Sequence, residues 1–163
     1  MRAGFPDSGE RRLETAEETR TFGEQLGRAL EAGDVVILDG PLGAGKTTFT
    51  QGIARGMRVG GRVTSPTFVI AREHRPVSDG PTLIHVDAYR LLGEDPDTAD
   101  PLGALDSLDL DTELERAVVV AEWGGGLVEQ ISDSYLLISI DRETAVAEDP
   151  DSEARIFTWA YRH

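Results

Sequence analysis

The sequence contains no cysteine, so neither a disulfide framework nor a thiolate metal site is available to it. It also lacks an apolar run long enough to span a bilayer, and no apolar stretch follows its first charged residues. These absences favour a soluble protein of the reducing cytoplasm. At 163 residues we expect one domain over residues 1–163, with residues 1–10 disordered because they show no periodicity.

Basic residues are scarce relative to acidic ones. The chain has 16 Lys and Arg against 30 Asp and Glu, a formal net charge of −14. Such a surface opposes direct, nonspecific binding to nucleic acid, which needs clustered positive charge, so we expect any contact with nucleic acid to run through a partner. Lys46 is the only lysine, and it lies in the most informative segment of the sequence.

That segment, GPLGAGKT at residues 40–47, fits the pattern G-x-x-x-x-G-K-[ST] at every fixed position. Its glycines let backbone N–H groups approach phosphate oxygens, Lys46 supplies a compact positive charge, and Thr47 offers a hydroxyl to Mg²⁺. The apolar run Asp34–Asp39 predicts a buried strand before the loop, and Lys46–Gly56 predicts a helix after it. Strand, loop and helix in this order predict a site for nucleotide phosphates.

Other periodic segments indicate an α/β fold. A capping box at residues 15–18 predicts a helix with one buried stripe that ends at Gly33. Further strands are predicted at 63–70, 83–87, 117–122, 135–140 and 156–161, the last two antiparallel, with a loop around a short helix at 93–110 and a helix ending near 131. The expected fold class is a P-loop NTPase-like three-layer sandwich, with a mostly parallel central sheet and antiparallel C-terminal strands.

Two of these strands end in an acid, Asp87 and Glu122. Ligands of parallel sheets bind beyond the carboxyl ends of the strands, where the loop already places the phosphates. A carboxylate there holds Mg²⁺, directly or through water, or orients the attacking water. Each acid taken alone is equally well an ordinary strand-end residue or a helix cap; the combination with Lys46 and Thr47 favours the metal role.

Several other polar or aromatic side chains are left with open or no assignments. Thr67, after Pro66, is a candidate to reach the metal or the γ-phosphate as a switch threonine does, the alternative being a turn that enters a strand. Trp123 is either an anchor near the site or a packed core residue. The strand residues His74 and His85 receive no role, because no serine or cysteine nucleophile adjoins them.

Four segments, GPLGAGKTT (40–48), SPTF (65–68), HVDAYRL (85–91) and AEW (121–123), in this order and with these gaps, resemble the TsaE family, also called YjeE. The resemblance extends from the N-terminal helix to Trp123. It implies a small P-loop ATPase, using ATP and Mg²⁺, that is required for threonylcarbamoyl modification of the adenosine next to the anticodon of certain tRNAs. It also implies that the protein docks on the TsaD–TsaB pair and meets tRNA only through that complex.

The motif and the resemblance together assign residues to roles. Expected phosphate ligands are Gly40, Leu42, Gly43, Ala44, Gly45, Lys46, Thr47 and Thr48. The resemblance implies that Thr47 and Glu122 hold Mg²⁺ and that Asp87 is the Walker B acid, so Thr47, Asp87 and Glu122 form the expected metal set and Lys46, Asp87 and Glu122 the catalytic one. It also places the adenine near Thr15 and Ala16, at the start of the N-terminal helix.

Alternative functions differ in what else they require. A GTPase needs an [NT]-K-x-D element to specify guanine, which a chain with Lys46 as its only lysine cannot contain. A small-molecule kinase of the P-loop class shares the loop but normally needs a lid and a cluster of arginines, and the acidic 93–110 segment offers neither clearly. A nucleotide-binding scaffold without significant turnover needs no catalytic acid, against which Asp87 and Glu122 argue.

Overall fold

The computed structural model describes residues 5–40, 45–60, 71–77, 80–87, 116–122, 134–152 and 154–162. Seven strands and three helices are assigned within these ranges. In chain order they are β1 (Ser8–Leu13), α1 (Ala16–Ala29), β2 (Val35–Asp39), α2 (Lys46–Met57), β3 (Ala71–His74), β4 (Thr82–Asp87), β5 (Ala117–Glu122), β6 (Tyr135–Asp141), α3 (Glu143–Glu148) and β7 (Arg155–Arg162).

The strands form one sheet in the order β1-β7-β6-β2-β5-β4-β3. Strand β2 pairs in parallel with both β5 and β6, and β4 pairs in parallel with β5, whereas the outer strands β1, β3 and β7 join antiparallel. The predicted α/β fold with a parallel centre and an antiparallel C-terminal pair is therefore confirmed. The centre is parallel because continuous apolar runs such as AVVVA in β5 can be buried on both faces.

Helices α1 and α2 cover one face of this sheet and pack on each other. Their apolar side chains, among them Phe22, Leu26, Phe49 and Ile53, join Val36, Leu38, Val118, Val120 and Phe157 of the strands in the main hydrophobic core. On the opposite face Val35, Ile37 and Val119 are also buried, as the strands of a three-layer sandwich require. None of the helices among the described residues combines the length and hydropathy needed to cross a membrane.

The predicted N-terminal helix is confirmed, but its end was predicted wrongly. The Thr15 hydroxyl accepts a hydrogen bond from the Glu18 N–H (3.1 Å), which is the expected cap, while the Glu18 carboxylate accepts from the N–H of Glu14 rather than Thr15. The helix stops at Ala29, and Leu30 is already extended. Gly33 is not the capping glycine: it takes a φ of 97° in the turn before β2, and its N–H donates to the Ala117 carbonyl at 2.9 Å.

The expected disorder of residues 1–10 is wrong for residues 5–10. Strand β1 begins at Ser8 and pairs with β7 along its whole length, from Ser8 opposite Ala160 to Leu13 opposite Arg155. Phe5 is 8% exposed, its ring contacts the rings of Phe22 and Trp159, and the Trp159 indole N–H donates to the Pro6 carbonyl at 3.0 Å. The strand β7 and its Trp159, which order this segment, lie more than 100 residues away in sequence, so no local pattern could indicate them.

Other predicted elements are confirmed, extended or not addressed. The strands at 83–87, 117–122, 135–140 and 156–161 and the helix from Lys46 are present with boundaries within about two residues, the usual uncertainty of such assignments. The acidic connection between β6 and β7 contains the short helix α3, which the sequence analysis did not predict. The predicted strand at 63–70, the loop at 93–110 and the helix ending near 131 lie outside the described residues.

Candidate functional site

The topology brings the carboxyl ends of five strands to one edge of the sheet. Strands β2, β4, β5 and β6 are mutually parallel, and β1 runs in the same direction because two antiparallel pairings, through β7, separate it from β6. Helix α1 follows the carboxyl end of β1, and α2 follows that of β2, so both helices begin at this edge. Ligands of α/β sheets bind at such an edge.

At the centre of the edge, the glycine-rich loop enters helix α2. Gly45 precedes the helix with a φ of 101°, a left-handed conformation that glycine adopts without strain. Its carbonyl accepts from the Phe49 N–H at 2.9 Å, which closes the first turn. Lys46, Thr47 and Thr48 in that turn are partly exposed, and Gly40 is the last described residue before the loop. The expected ligands Leu42, Gly43 and Ala44 lie outside the described residues, as does Thr67.

The two helix starts at this edge differ in charge and capping. The first turn of α1 carries Glu17 and Glu18 and is capped by the Thr15 hydroxyl. The first turn of α2 carries no acidic residue, and no side chain among the described residues caps it. The N–H groups of this first turn therefore have no side-chain acceptor within the described ranges, and the positive end of the helix dipole lies at the same edge, as an anion site requires.

Glu122 ends β5 beside the phosphate loop. It is 7% exposed, and in the sheet it lies opposite Leu38 of β2, two residues before Gly40, and opposite Asp87 of β4. The structure thus brings the ends of β4 and β5, with the predicted acids Asp87 and Glu122, to adjacent positions next to the strand that leads into the loop. From the sequence, only the general rule that the carboxyl ends of parallel strands meet at one edge suggested that the two acids lie close together.

The Glu122 carboxylate has a buried partner that the sequence analysis left without a role. His85 Nε2 lies 3.1 Å from Glu122 Oε1, and the imidazole is completely buried. The one available signal was the position of His85 two residues before Asp87 in the same strand, a spacing that turns both residues towards the same face in a regular strand. The strand period alone did not say which residue of β5 the ring would meet.

The donor set at this edge suits a hard cation. A carboxylate at Glu122 and a hydroxyl at Thr47 are oxygen ligands of the kind Mg²⁺ prefers, and Mg²⁺ usually takes only one or two protein ligands beside water and phosphate oxygens. Among the described residues, no cluster of three or more His, Asp or Glu side chains could hold a metal by itself. The residues present therefore fit a metal that is bound together with a nucleotide.

An open cleft adjoins Gly40 on the β6 side. It is lined by Asp39, Ser139, Asp141 and Arg142 among others. The Thr144 hydroxyl donates to Asp141 at 2.6 Å and its N–H donates at 3.3 Å, and these bonds hold the pKa of the Asp141 carboxyl below its usual value. A second groove at the start of α1 is lined by Leu13, Thr15 and Phe22 among others. Ala16, expected near the adenine, is the first residue of that helix.

Comparison with known proteins gives a consistent result. The family model described as threonylcarbamoyl adenosine biosynthesis protein TsaE matches residues 13–149. A tRNA threonylcarbamoyladenosine biosynthesis protein TsaE from Mycobacterium tuberculosis is 52% identical over 161 residues, which are 98% of this chain and 91% of that protein. The protein of the same description from Streptomyces coelicolor is 50% identical over 132 residues, 81% of this chain and 83% of that protein. A crystal structure of Bacillus subtilis YdiB superposes with a TM-score of 0.67 at 28% identity, covering 98% of this chain and 88% of that one.

Proposed function

The chain belongs to the TsaE family of tRNA threonylcarbamoyladenosine biosynthesis proteins, and on that premise we propose that it is the ATP-binding and ATP-hydrolysing subunit of this modification. The observation that carries the proposal is that the start of α2, which has no acid in its first turn and no side-chain cap from any described residue, lies at the same sheet edge as the buried acid Glu122. A phosphate site and a metal-side carboxylate are the two halves of a Mg²⁺–ATP site.

Each residue of the site has a role in this proposal. The α2 N–H groups and Lys46 bind the phosphates and offset their charge, with Gly40, Leu42, Gly43, Ala44, Gly45 and Thr48 completing the loop. Bound Mg²⁺ would be held by Thr47 and Glu122, with Asp87 as the Walker B acid, and it supplies charge neutralisation on the β- and γ-phosphates. Thr67 is proposed to contact the γ-phosphate, and Ala16, with the α1 groove beside it, to border the adenine.

Hydrolysis needs an attacking water in line with the γ-phosphate. Glu122 is suited to orient that water because its carboxylate is held at the edge of a rigid, fully buried strand and exposes a small fraction of its surface. Lys46, in the first turn of α2, supplies a positive charge that stabilises the negative charge developing on the phosphate.

Family membership and net charge support the partners proposed for this protein. We propose that the protein acts in the cytoplasm by docking on the TsaD–TsaB pair, with tRNA contacted only through that complex, and that hydrolysis resets the complex between rounds of modification. A net charge of −14 supports indirect contact, because an acidic surface repels the phosphates of free tRNA.

The test is ATP turnover with and without the partner pair. We expect weak hydrolysis by the protein alone, stimulation by TsaD–TsaB, and background rates for Lys46→Ala. Glu122→Gln, which keeps the shape of the side chain but removes its charge, should lower turnover on the order of 100-fold or more while phosphate binding persists. Glu10→Gln makes the same chemical change at an exposed position on β1 and should leave turnover unchanged.

Three outcomes would contradict the proposal. Many rounds of modification by TsaD and TsaB without this chain would remove its role in the reaction. Transfer of a labelled γ-phosphate to a metabolite, rather than to water, would identify a small-molecule kinase. Tight ATP binding with no turnover under any condition would identify a nucleotide-binding scaffold.

A further inference from the structure

His85 is a polar ring in an otherwise apolar part of the sheet. Its neighbours in β4, Leu83 and Val86, and its register partner in β5, Val120, are all fully buried, and the ring itself has 0% exposure. A buried polar side chain is costly unless it forms hydrogen bonds. Within the described part of the chain, the bond that meets this need is the 3.1 Å contact from His85 Nε2 to Glu122 Oε1.

The bond also defines the position of the ring hydrogen. An ionised carboxylate only accepts hydrogen bonds, so Nε2 must carry the hydrogen and donate it to Glu122. No described residue bonds to His85 Nδ1. The same tautomer leaves a lone pair at Nδ1, where an N–H would be a buried donor without an acceptor among the described residues. The ring thus presents one donor, and that donor is used on the acid at the edge of the site.

The bond connects the interior of the sheet with its functional edge. His85 is fixed by the backbone pairing of β4 with β5, whereas Glu122 is the last residue of β5 and has a longer side chain with more rotamers. We propose that His85 is a positioning residue that holds Glu122 by Oε1, so that the other oxygen is fixed towards the metal and the attacking water. The inference rests on the metal role given to Glu122 in the proposed function.

A purely structural role explains the pair less well. Buried polar and ionic pairs often contribute no more to stability than apolar residues of the same volume. Apolar side chains surround His85, and a leucine at this position would continue the Leu83, Val118 and Val120 cluster. In metal sites, a residue that hydrogen-bonds to a metal ligand fixes the orientation of that ligand. Loss of such a partner typically weakens metal binding about 10- to 100-fold.

The first test examines the bond without nucleotide or metal. The chain has three histidines, so the imidazole nitrogen signals can be assigned by single substitutions in long-range ¹⁵N–¹H spectra. We expect one Nε2–H tautomer for His85 in the wild type and a mixture of tautomers in Glu122→Ala, where the acceptor is lost. A wild-type Nδ1–H tautomer, or a spectrum unchanged by Glu122→Ala, would overturn the inference.

The second test compares Mg²⁺ dependence among variants. His85→Leu should raise the Mg²⁺ concentration needed for half-maximal tightening of ATP binding by about 10- to 100-fold, with metal-free ATP affinity unchanged. His85→Gln, which keeps an N–H donor of similar reach, should recover most of this loss. His74→Leu makes the same change at a second buried histidine, in β3, and should leave the Mg²⁺ dependence as in the wild type.

The controls separate the two proposals and a folding defect. If Glu122→Gln leaves the Mg²⁺ dependence unaltered, the metal role in the proposed function fails. If Glu122→Gln shifts it but His85→Leu does not, only the positioning role of His85 fails. Equal weakening of metal-free and Mg²⁺-dependent binding by His85→Leu indicates general damage and also overturns the inference. Should His85→Leu not fold, His85→Met, which also lacks an N–H donor, takes its place in the Mg²⁺ comparison, with the same expected and contradicting results.

Discussion

Helices α1 and α2 approach closely enough that a single methyl group should disturb the fold. Each helix presents two glycines spaced by four residues to the other, Gly23 and Gly27 on α1 and Gly52 and Gly56 on α2. A Cβ atom added to Gly52 would lie 2.2 Å from the carbonyl oxygen of Arg20. The obstacle is helix backbone, which cannot rotate away as a side chain does, so Gly52→Ala should force the helices apart.

Two opposing terms determine the size of the effect. An ordinary Cβ contact begins at 3.4 Å, so the required shift is the difference between 3.4 and 2.2, or 1.2 Å. Alanine favours the helix over glycine by about 1 kcal/mol, whereas overpacking a close-packed contact costs about 3 kcal/mol at the upper end of its usual range. The difference predicts that Gly52→Ala lowers the free energy of unfolding by about 2 kcal/mol.

Urea unfolding followed by far-ultraviolet circular dichroism measures this difference. Gly80→Ala is the matched control, since a Cβ there meets nothing within 4 Å and the residue has no positive φ; its effect should stay within about 0.5 kcal/mol. If Gly52→Ala is as stable as the wild type or more stable, helix propensity outweighs the contact, and the close approach of α1 and α2 is refuted.

Three further substitutions test individual contacts. Thr15→Ala removes the α1 cap and should lower the free energy of unfolding by about 1 kcal/mol. Thr15→Ser keeps the hydroxyl and should leave the free energy of unfolding nearly unchanged. If both variants lose the same stability, the hydrogen bond to the hydroxyl does not stabilise the helix. Phe5→Ala should lower the melting temperature through the loss of about 3 kcal/mol of packing, and an unchanged melting temperature would mean that the N-terminal segment does not pack. Thr144→Val should raise the pKa of Asp141, measured by a carboxyl ¹³C titration. The substitution removes the hydrogen bond from the Thr144 hydroxyl, which contributes most to lowering that pKa. Because the pKa of Asp141 is lower in the folded state, its ionised form stabilises the fold at pH values above the unfolded pKa of about 3.9. This stabilisation is lost as the pH falls through the folded pKa. Thr144→Val removes much of the stabilisation at neutral pH, so the variant should lose less stability on acidification than the wild type does.

The sequence by itself determined the features that depend on neighbours along the chain. The strand, loop and helix around Lys46 were readable because the phosphate-binding pattern is contiguous and its glycines have a local conformational reason. The Thr15 cap lies within one helical turn, and the apolar runs of β4 and β5 follow from burial on both faces. These features indicated the fold class, and the motif segments at 40–48, 65–68, 85–91 and 121–123 indicated the family; both are confirmed.

Only the tertiary structure decided which distant residues meet. Strand β1 is ordered by pairing with β7 and by Trp159, and the glycines of α1 have a purpose only where the backbone of α2 lies against them. His85 and Glu122 are separated by 37 positions in sequence, and their contact depends on the parallel register of β4 and β5. Local patterns report the energies of a few consecutive residues, whereas these contacts arise only after chain segments far apart in sequence are packed together, and that packing gives His85 its proposed role.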